Sequence, residues 1–225
     1  MFEAVILAGG QGTRLKSVTG EMPKPMVDVS GLPFLYRLMQ RLESQGCSRI
    51  VLSLCYRADY IIEKISKDQP VNCSVEFAVE KSPLGTGGAI KLASQCITAE
   101  KFVVLNGDTY SDLEYNALFN YAGATDLVIS GVYVEDVSRY GTLDLDESCV
   151  VLSMNEKGRT GAGIINSGTY VITTHDIQKY PNEVFSFEQH YVQEFKGSFK
   201  AFVSEGYFID IGIPEDYYQA CLKLK

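Results

Sequence analysis

The sequence predicts a single α/β domain over residues 1–225, built around a mixed but mostly parallel sheet. Strand-like and helix-like apolar segments alternate through the first half, which is typical of βαβ units and parallel strands. Two glycine clusters each follow a strand-like run, and no proline- or serine-rich linker or repeat divides the chain. Beyond about residue 125 the strands outnumber the helices, so we expect residues 126–225 to complete the domain that residues 1–125 begin.

The apolar pattern of the first half defines its elements in order. The opening run at 4–7 stops at a glycine-rich segment, as expected for a strand followed by a loop. Apolar residues return at helical spacing over 34–42, behind Pro33, a residue suited to the first turn of a helix. The remaining expected elements are a strand at 49–54, a helix at 60–65, a strand at 75–79, a helix at 89–94 and a strand at 102–105.

Strand patterns dominate the second half. The expected elements are strands at 126–134, 150–154 and 164–173, a helix at 187–195, and a C-terminal helix from 214 onwards. A short apolar segment at 207–209 precedes Asp210, much as the strand at 102–105 precedes Asp108.

Composition excludes several classes of protein. There are 28 acidic and 20 basic side chains and no Lys/Arg-rich block, so we expect no nucleic-acid partner. Six cysteines without a CxxC pair and only two histidines make a poor zinc site. No apolar stretch approaches the roughly 18 residues that span a membrane, and the N-terminus lacks the features of a signal peptide. We expect a reduced, cytoplasmic protein that binds no membrane.

The glycine-rich segment after the first strand predicts a phosphate site. The spacing of Gly9, Gly10 and Gly12 matches neither the P-loop GxxxxGK(S/T) nor the dinucleotide fingerprint GxGxxG. Closely spaced glycines nevertheless let backbone N–H groups approach an anion, and a helix beginning near Arg14 adds its positive end. Lys24, between two prolines, adds a second positive charge on a restricted backbone.

Three acidic residues stand out as binding groups. Asp108 and Asp210 each follow a strand-like segment, and ligands of open α/β sheets bind at the carboxyl ends of strands. Mg²⁺ prefers oxygen ligands and takes one or two carboxylates together with substrate phosphate, so the pair are candidate ligands of Mg²⁺. Taken singly, an aspartate after a strand is as often a turn or N-cap residue. Glu80 precedes the second glycine cluster. Its carboxylate could accept from both N1–H and the amine of guanine, whereas uracil and thymine offer one such donor.

The motifs of this chain resemble those of the sugar-1-phosphate nucleotidylyltransferases. The opening segment at 7–15 is followed by Pro-Lys-Pro-Met at 23–26, and six further motifs occur in the order of that family. These are Pro-Leu-Gly-Thr-Gly-Gly at 83–88, Leu-Asn-Gly-Asp at 105–108, Arg-Tyr-Gly at 139–141, Glu-Lys at 156–157, Asn-Ser-Gly at 166–168 and Asp-Ile-Gly at 210–212. The resemblance implies a Rossmann-like three-layer sheet of the nucleotide-diphospho-sugar transferase type. It also implies a nucleotide-binding half over about 1–125 and a sugar-phosphate-binding half over about 126–225.

The reaction that the resemblance implies is attack by a sugar 1-phosphate oxygen on the α-phosphate of a nucleoside triphosphate, with release of pyrophosphate. Positioning and electrostatics would carry it, without a nucleophilic side chain. The implied catalytic residues are Arg14, Lys24 and Asp108, with Asp108 and Asp210 as ligands of Mg²⁺. The implied nucleotide-binding residues are Leu7, Ala8, Gly9, Gly10, Gly12, Thr13, Arg14, Lys24, Glu80, Gly85 and Thr86. The implied sugar-phosphate-binding residues are Asn106, Gly141, Glu156, Lys157 and Asn166.

The Glu-x-x-Pro-Leu-Gly-Thr form at 80–86 resembles the guanylyl-transferring branch of the family, and the loop at 84–89, the Arg-Tyr-Gly segment and the short C-terminus resemble a short, single-domain type in that branch. Within it, the sequence is similar to the short type that makes GDP-heptose from GTP and D-glycero-α-D-manno-heptose 1-phosphate for bacterial surface polysaccharide. The alternatives are mannose 1-phosphate with GTP, a hexose or amino-sugar 1-phosphate with UTP, dTTP or CTP, and a non-catalytic nucleotide-sugar sensor. The segment Tyr217–Tyr218 could form a subunit contact in a homo-oligomer.

Overall fold

The computed structural model describes residues 1–224, and within them nine strands form one central mixed sheet. The strands in chain order are β1 (Phe2–Leu7), β2 (Asp28–Val29), β3 (Leu32–Pro33), β4 (Cys47–Leu54), β5 (Ser74–Val79), β6 (Lys101–Asn106), β7 (Thr109–Ser111), β8 (Leu127–Val134), β9 (Thr142–Leu145), β10 (Val151–Asn155), β11 (Gly163–Thr173), β12 (Phe199–Ser204) and β13 (Phe208–Asp210). The α-helices are α1 (Lys16–Thr19), α2 (Phe34–Ser44), α3 (Ala58–Asp68), α4 (Gly85–Ala93), α5 (Tyr115–Ala122), α6 (Thr174–Lys179) and α7 (Pro214–Lys223).

The sheet is parallel across the first half of the chain, where β6, β1, β4 and β5 are neighbours in that order. The second half joins it through β11, which pairs antiparallel with β6, β8 and β9. On the far side β12 pairs parallel with β8, and β10 pairs antiparallel with β9. The expected mixed α/β sheet is confirmed. The strands β7 and β13 form a separate antiparallel pair beside it.

Helices cover both faces of the sheet, so the molecule has three layers. Ala4 and Ile6 of β1 belong to the apolar cluster that includes α2, α3, α5 and α7, whereas Val5 faces the cluster that includes α4 and α6. A parallel strand that is buried on both faces is uniformly apolar, which explains the continuous apolar run at the start of the sequence. In the described residues no helix has the length and apolar character needed to cross a membrane.

One helix begins earlier than the sequence predicted. The expected helix at 89–94 starts at Gly85, inside the glycine cluster. A Cβ at Gly87 would lie 2.1 Å from the Phe185 ring, and one at Gly88 would lie 2.2 Å from the Glu183 carbonyl oxygen. These glycines therefore let the segment 183–185 pack directly against the first turns of the helix.

The expected helix at 187–195 is a π-helix over Phe187–Val192 in the structure. Ser186 caps it, because its hydroxyl accepts from the N–H of Gln189 at 3.3 Å. π-Helices are rare and are often found at functional sites. Glu188 and Gln189 of this π-helix line a cavity together with Glu156 and Lys157.

Candidate active site

The larger cavity has a volume of about 660 Å³ and lies at the carboxyl ends of the parallel strands. Leu7 ends β1, Cys55 follows β4, Glu80 follows β5 and Asn106 ends β6, and all four line the cavity. Open α/β sheets bind ligands at this edge because the loops that leave neighbouring strands converge there.

The glycine loop after β1 packs closely over the end of β4. The N–H of Ala8 donates to the Ser53 carbonyl at 2.9 Å, and the N–H of Tyr56 donates to the Gly9 carbonyl at 3.3 Å. A Cβ at Gly9 would lie 3.0 Å from the backbone nitrogen of Cys55, so the close approach depends on glycine. The loop thus forms one wall of the cavity.

Lys24 reaches two aspartates that are distant in sequence. Its ammonium nitrogen Nζ donates to Asp108 Oδ2 at 2.6 Å and lies 3.8 Å from Asp210 Oδ1. Lys24 begins a 3₁₀ turn after Pro23 and is only 7% exposed. A lysine this buried requires a partner, and the two carboxylates supply it.

The pairing of β7 with β13 brings the two aspartates together. Asp210 lies opposite Thr109 in that pair, and the N–H of Ile211 donates to the Asp108 carbonyl at 2.9 Å. Asp108 follows a strand of the central sheet, as expected. Asp210 does not, because β13 belongs to the separate two-stranded pair.

The aspartate pair has the electrostatics of a cation site. Burial raises the pKa of Asp210, the Asp108 carboxylate raises it further, and Lys24 and Arg14 lower it. Asp210 Oδ1 is buried and has no hydrogen-bond partner among residues 1–224. A buried carboxylate oxygen without a donor, beside a second carboxylate, can be satisfied by a divalent cation. No cluster of three or more Cys, His, Asp or Glu side chains suited to a metal occurs in the described chain.

Glu80 lines the same cavity and lies beside the glycine loop. Its Oε2 accepts from the N–H of Leu84 at 2.8 Å, while Oε1 faces the glycine loop, 3.3 Å from where a Cβ of Gly9 would lie. Burial raises the pKa of Glu80, and the bond from Leu84 lowers it. One oxygen is thus fixed by the backbone and the other is directed towards the loop.

The second cavity, of about 540 Å³, unites four of the five expected sugar-phosphate residues. Its lining residues are Gly141, Met154, Asn155, Glu156, Lys157, Asn166, Ser186, Glu188, Gln189 and Gln193. The fifth expected residue, Asn106, lines the first cavity instead. Its side chain packs against Gly168, where a Cβ would lie 2.4 Å from Asn106 Nδ2.

Not every expected nucleotide residue lines the first cavity. Leu7, Gly9, Gly10, Lys24, Glu80, Gly85 and Thr86 do. Ala8, Gly12, Thr13 and Arg14 lie outside its lining. Ala8 is buried behind the loop, Thr13 and Arg14 are exposed, and Gly12 lets Lys24 approach the loop.

Some lining residues were missed by sequence reasoning. Cys55 and Tyr56 directly follow β4, so the strand-end argument that found Asp108 could have found them. Glu188 and Gln189 of the π-helix belong to no motif, and nothing in the local sequence marked them.

Comparison with known proteins places the chain in a family. It matches the nucleotidyl transferase family over residues 3–225. It is 37% identical over 218 residues to the D-glycero-alpha-D-manno-heptose 1-phosphate guanylyltransferase of Campylobacter jejuni, covering 96% of this chain and 97% of the relative. It is also 37% identical over 228 residues to the protein of the same name from Aneurinibacillus thermoaerophilus, covering 99% and 98%.

A solved structure matches over the full length of both chains. HddC from Yersinia pseudotuberculosis is 60% identical, covers 100% of each chain and superimposes with a TM-score of 0.94. The same protein complexed with GMP-PN gives a TM-score of 0.93. The likeness confirms the expected sheet of the nucleotide-diphospho-sugar transferase type. Together with the motifs and the paired cavities, these matches show that the chain belongs to the nucleotidyl transferase family.

Proposed function

We propose that this chain transfers GMP from GTP to D-glycero-α-D-manno-heptose 1-phosphate, which gives GDP-heptose and pyrophosphate. The observation that carries the proposal is the meeting of Lys24 and Asp108, which line the cavity formed by the glycine loop, with Asp210, whose Oδ1 lies 3.8 Å from Lys24 Nζ outside that lining. Relatives of nearly equal length carry the heptose guanylyltransferase name, and the similar HddC was solved with a guanine nucleotide analogue. Both support the choice of base and sugar.

The chemistry requires charge neutralisation between two anions. An oxygen of the sugar phosphate attacks the α-phosphorus of GTP, and the bond to the β-phosphate oxygen breaks, so negative charge moves to pyrophosphate. Asp108 and Asp210 would hold Mg²⁺, which when bound neutralises phosphate charge. Lys24 and Arg14 would hold the α-phosphate and the leaving pyrophosphate, because Lys24 pairs with Asp108 and lies near Asp210, and the Arg14 charge lowers the pKa of Asp210.

The first cavity would bind GTP. Backbone N–H groups of the loop at 9–13 would contact the phosphates, with Leu7, Gly9, Gly10, Gly85 and Thr86 along the wall, while the N–H of Ala8 is already donated to Ser53. Glu80 would read guanine, because its carboxylate can accept from N1–H and the exocyclic amine. Residues 1–125 supply these groups and would form the nucleotide-binding half.

The second cavity would bind the sugar 1-phosphate. Lys157 would hold the phosphate and Glu156 a sugar hydroxyl, with Gly141 and Asn166 along the wall. Asn106 would lie where the two substrates meet, because it lines the first cavity and packs on Gly168 near the second. Residues 126–225 supply most of this half.

We also infer that the reaction takes place in the cytoplasm, since GTP is a cytoplasmic substrate, and that the product serves the assembly of bacterial surface polysaccharide.

We further propose that the protein forms a homo-oligomer. Tyr217 donates its hydroxyl to the Asp28 carbonyl at 2.8 Å, so the exposed Tyr218 is the better candidate for a subunit contact.

The test is pyrophosphate release with Mg²⁺ across a panel of two nucleotides, GTP and UTP, and two sugars, D-glycero-α-D-manno-heptose 1-phosphate and mannose 1-phosphate. We expect release with GTP and the heptose phosphate to exceed every other pair. Release with another pair alone keeps the reaction and overturns the substrate assignment. No release in any combination, with GTP still bound, indicates a sensor instead of an enzyme.

A further inference from the structure

A chain of hydrogen bonds connects the walls of the two cavities. Thr86, which lines the first cavity, donates through Oγ1 to Glu188 Oε2 at 3.4 Å, and the Tyr170 hydroxyl donates to Glu188 Oε1 at 2.9 Å. Asn166 Nδ2 donates to the same hydroxyl at 2.7 Å, and Asn166 Oδ1 accepts from the N–H of Gly168 at 2.8 Å. Glu188 and Asn166 both line the second cavity.

The last member of this series of hydrogen bonds, Gly168, lies beside a residue of the first cavity. Gly168 has a φ of +74°, and its missing side chain leaves room for Asn106, whose Nδ2 lies 2.4 Å from where a Cβ would stand. Asn106 lines the first cavity and precedes Asp108 by two residues. The series of contacts therefore connects the first turn of α4 to the segment that carries Asp108, a proposed metal ligand.

Tyr170 is the central member of this chain and is held firmly. It is 1% exposed, and its ring packs edge to face on Phe187 with centroids 4.9 Å apart. Burial raises the pKa of Tyr170 well above its ordinary value and the Glu188 carboxylate raises it further, so the hydroxyl keeps its proton and donates. A buried phenol that both donates and accepts is costly to disturb.

We propose that Glu188 and Tyr170 are positioning residues that couple the two cavities, so that nucleotide in the first tightens binding of sugar 1-phosphate in the second. This inference rests on the proposed function. Thr86 Oγ1 also accepts from the N–H of Phe187 at 2.8 Å, so the turn at Gly85–Thr86 is tied to the π-helix at two points. A nucleotide that orders this turn also orders Glu188.

Through Tyr170, the same ordering extends to Asn166 on the facing wall of the second cavity. The first ligand then bears the entropic cost of ordering both walls. A second ligand binds a wall that is already ordered, which is positive coupling between two sites. Coupling of this kind is reciprocal, so sugar phosphate must tighten nucleotide binding by the same factor.

The test measures the dissociation constant of D-glycero-α-D-manno-heptose 1-phosphate by calorimetry in Mg²⁺. It is measured with and without saturating guanosine 5′-(α,β-methylene)triphosphate, which cannot release pyrophosphate. The ratio of the two constants is the coupling factor, and we expect at least about fivefold in the unaltered chain. Tyr170→Phe keeps the ring and removes the hydroxyl, so we expect its factor to fall to within about twofold of one.

Two further variants make the result specific. Tyr180→Phe is the matched control, because Tyr180 also donates its hydroxyl to a glutamate, Glu194 Oε2, at 2.8 Å, and neither residue lines a cavity. Glu188→Gln presents one acceptor oxygen in place of two, so we expect it also to lower the coupling factor. It replaces Tyr170→Phe as the test if that variant does not fold. Lower coupling in Tyr170→Phe and Glu188→Gln, with the coupling of Tyr180→Phe unchanged, supports the proposal.

The proposal is overturned if the unaltered chain has a coupling factor of one, if Tyr170→Phe and Glu188→Gln keep the full factor, or if Tyr180→Phe loses as much. Turnover separates this from the proposed function. If the unaltered chain releases pyrophosphate from GTP and the heptose phosphate, the proposed function stands whatever the coupling factor. If it neither binds nor turns over these substrates, the proposed function fails and the coupling fails with it.

Discussion

Replacing Gly12 by alanine tests whether the glycine loop sets the position of Lys24. Gly12 has a φ of +62°, in the left-handed region that side chains disfavour, and a Cβ there would lie 2.6 Å from Lys24 Cβ. Carbon atoms pack at roughly 3.5–4.0 Å, so the two segments must separate by about 1 Å. Lys24 lies between Pro23 and Pro25 on a restricted backbone, so we expect the whole turn to move and the ammonium to shift from Asp108.

Two separate losses follow from this geometry. The left-handed backbone costs an alanine roughly 1–2 kcal/mol of stability. A displacement of about 1 Å in a substrate-positioning group can lower the rate roughly 100-fold, or about 2.7 kcal/mol of activation free energy. We therefore expect Gly12→Ala to lower the free energy of unfolding in urea by about 1–2 kcal/mol and kcat/KM for pyrophosphate release by about 100-fold.

Gly31→Ala is the matched control for this experiment. Gly31 has a φ of +84°, and a Cβ there would meet no atom within 4 Å, so the variant shares the backbone strain without the contact on Lys24. Its kcat/KM should stay near that of the unaltered chain. If Gly12→Ala keeps kcat/KM within about threefold of Gly31→Ala, the contact with Lys24 does not control the rate and the reasoning is refuted.

Three further substitutions test individual roles in the two cavities. Asp108→Asn should lower turnover at least about 1,000-fold with the fold retained, because it removes one carboxylate of the cation pair while the amide oxygen can still accept from the buried Lys24. Asp112→Asn is the control, since Asp112 is exposed and lines neither cavity, and comparable losses in both would contradict a metal role. Lys157→Ala should raise KM for sugar phosphate much more than KM for GTP, and equal increases would count against its role as the phosphate ligand. Glu80→Gln should lower the ratio of GTP to UTP turnover by about tenfold, since an amide that donates opposes the N1–H of guanine; an unchanged ratio would remove Glu80 from base reading.

The parallel strands β1, β4 and β6 could be predicted from sequence because burial on both faces makes them largely apolar. Two of the elements that were not predicted have weaker signals. The helix α6 has six residues, too few for a helical period to be read, and β12 buries only Ala201 fully. The helix α5 was within reach, since Tyr115, Leu118 and Ala122 are buried at helical spacing. Pattern reasoning thus finds elements in proportion to how much of each is buried.

The residues of the candidate site also fall into two groups, those that local motifs predicted and those that only tertiary contacts place. Lys24 and Asp108 both stand in local motifs, but only Asp108 follows a strand of the central sheet, whereas Lys24 begins a 3₁₀ turn, so their ion pair could not be predicted from strand ends alone. The part played by Gly87 could not be read locally, because it depends on Phe185, which packs against it from a distant segment. Likewise, Glu188 gains its position from the π-helix and from donors more than 15 residues away in sequence. Contacts of this kind depend on tertiary packing that no local pattern specifies.

The Arg-Tyr-Gly segment shows how the sugar cavity is fastened to the cation pair. Gly141 lines the second cavity, while the ring of Tyr140 packs edge to face on Phe208 of β13 with centroids 5.5 Å apart. Arg139 forms an ion pair with Asp216 in the first turn of α7, the helix that follows β13. Because β13 ends at Asp210, three consecutive residues connect the wall of the second cavity to the strand whose carboxylate lies 3.8 Å from Lys24 of the first cavity. The Arg-Tyr-Gly motif, of which only Gly141 lines a cavity, can therefore set the distance between the sugar phosphate in the second cavity and the α-phosphate in the first.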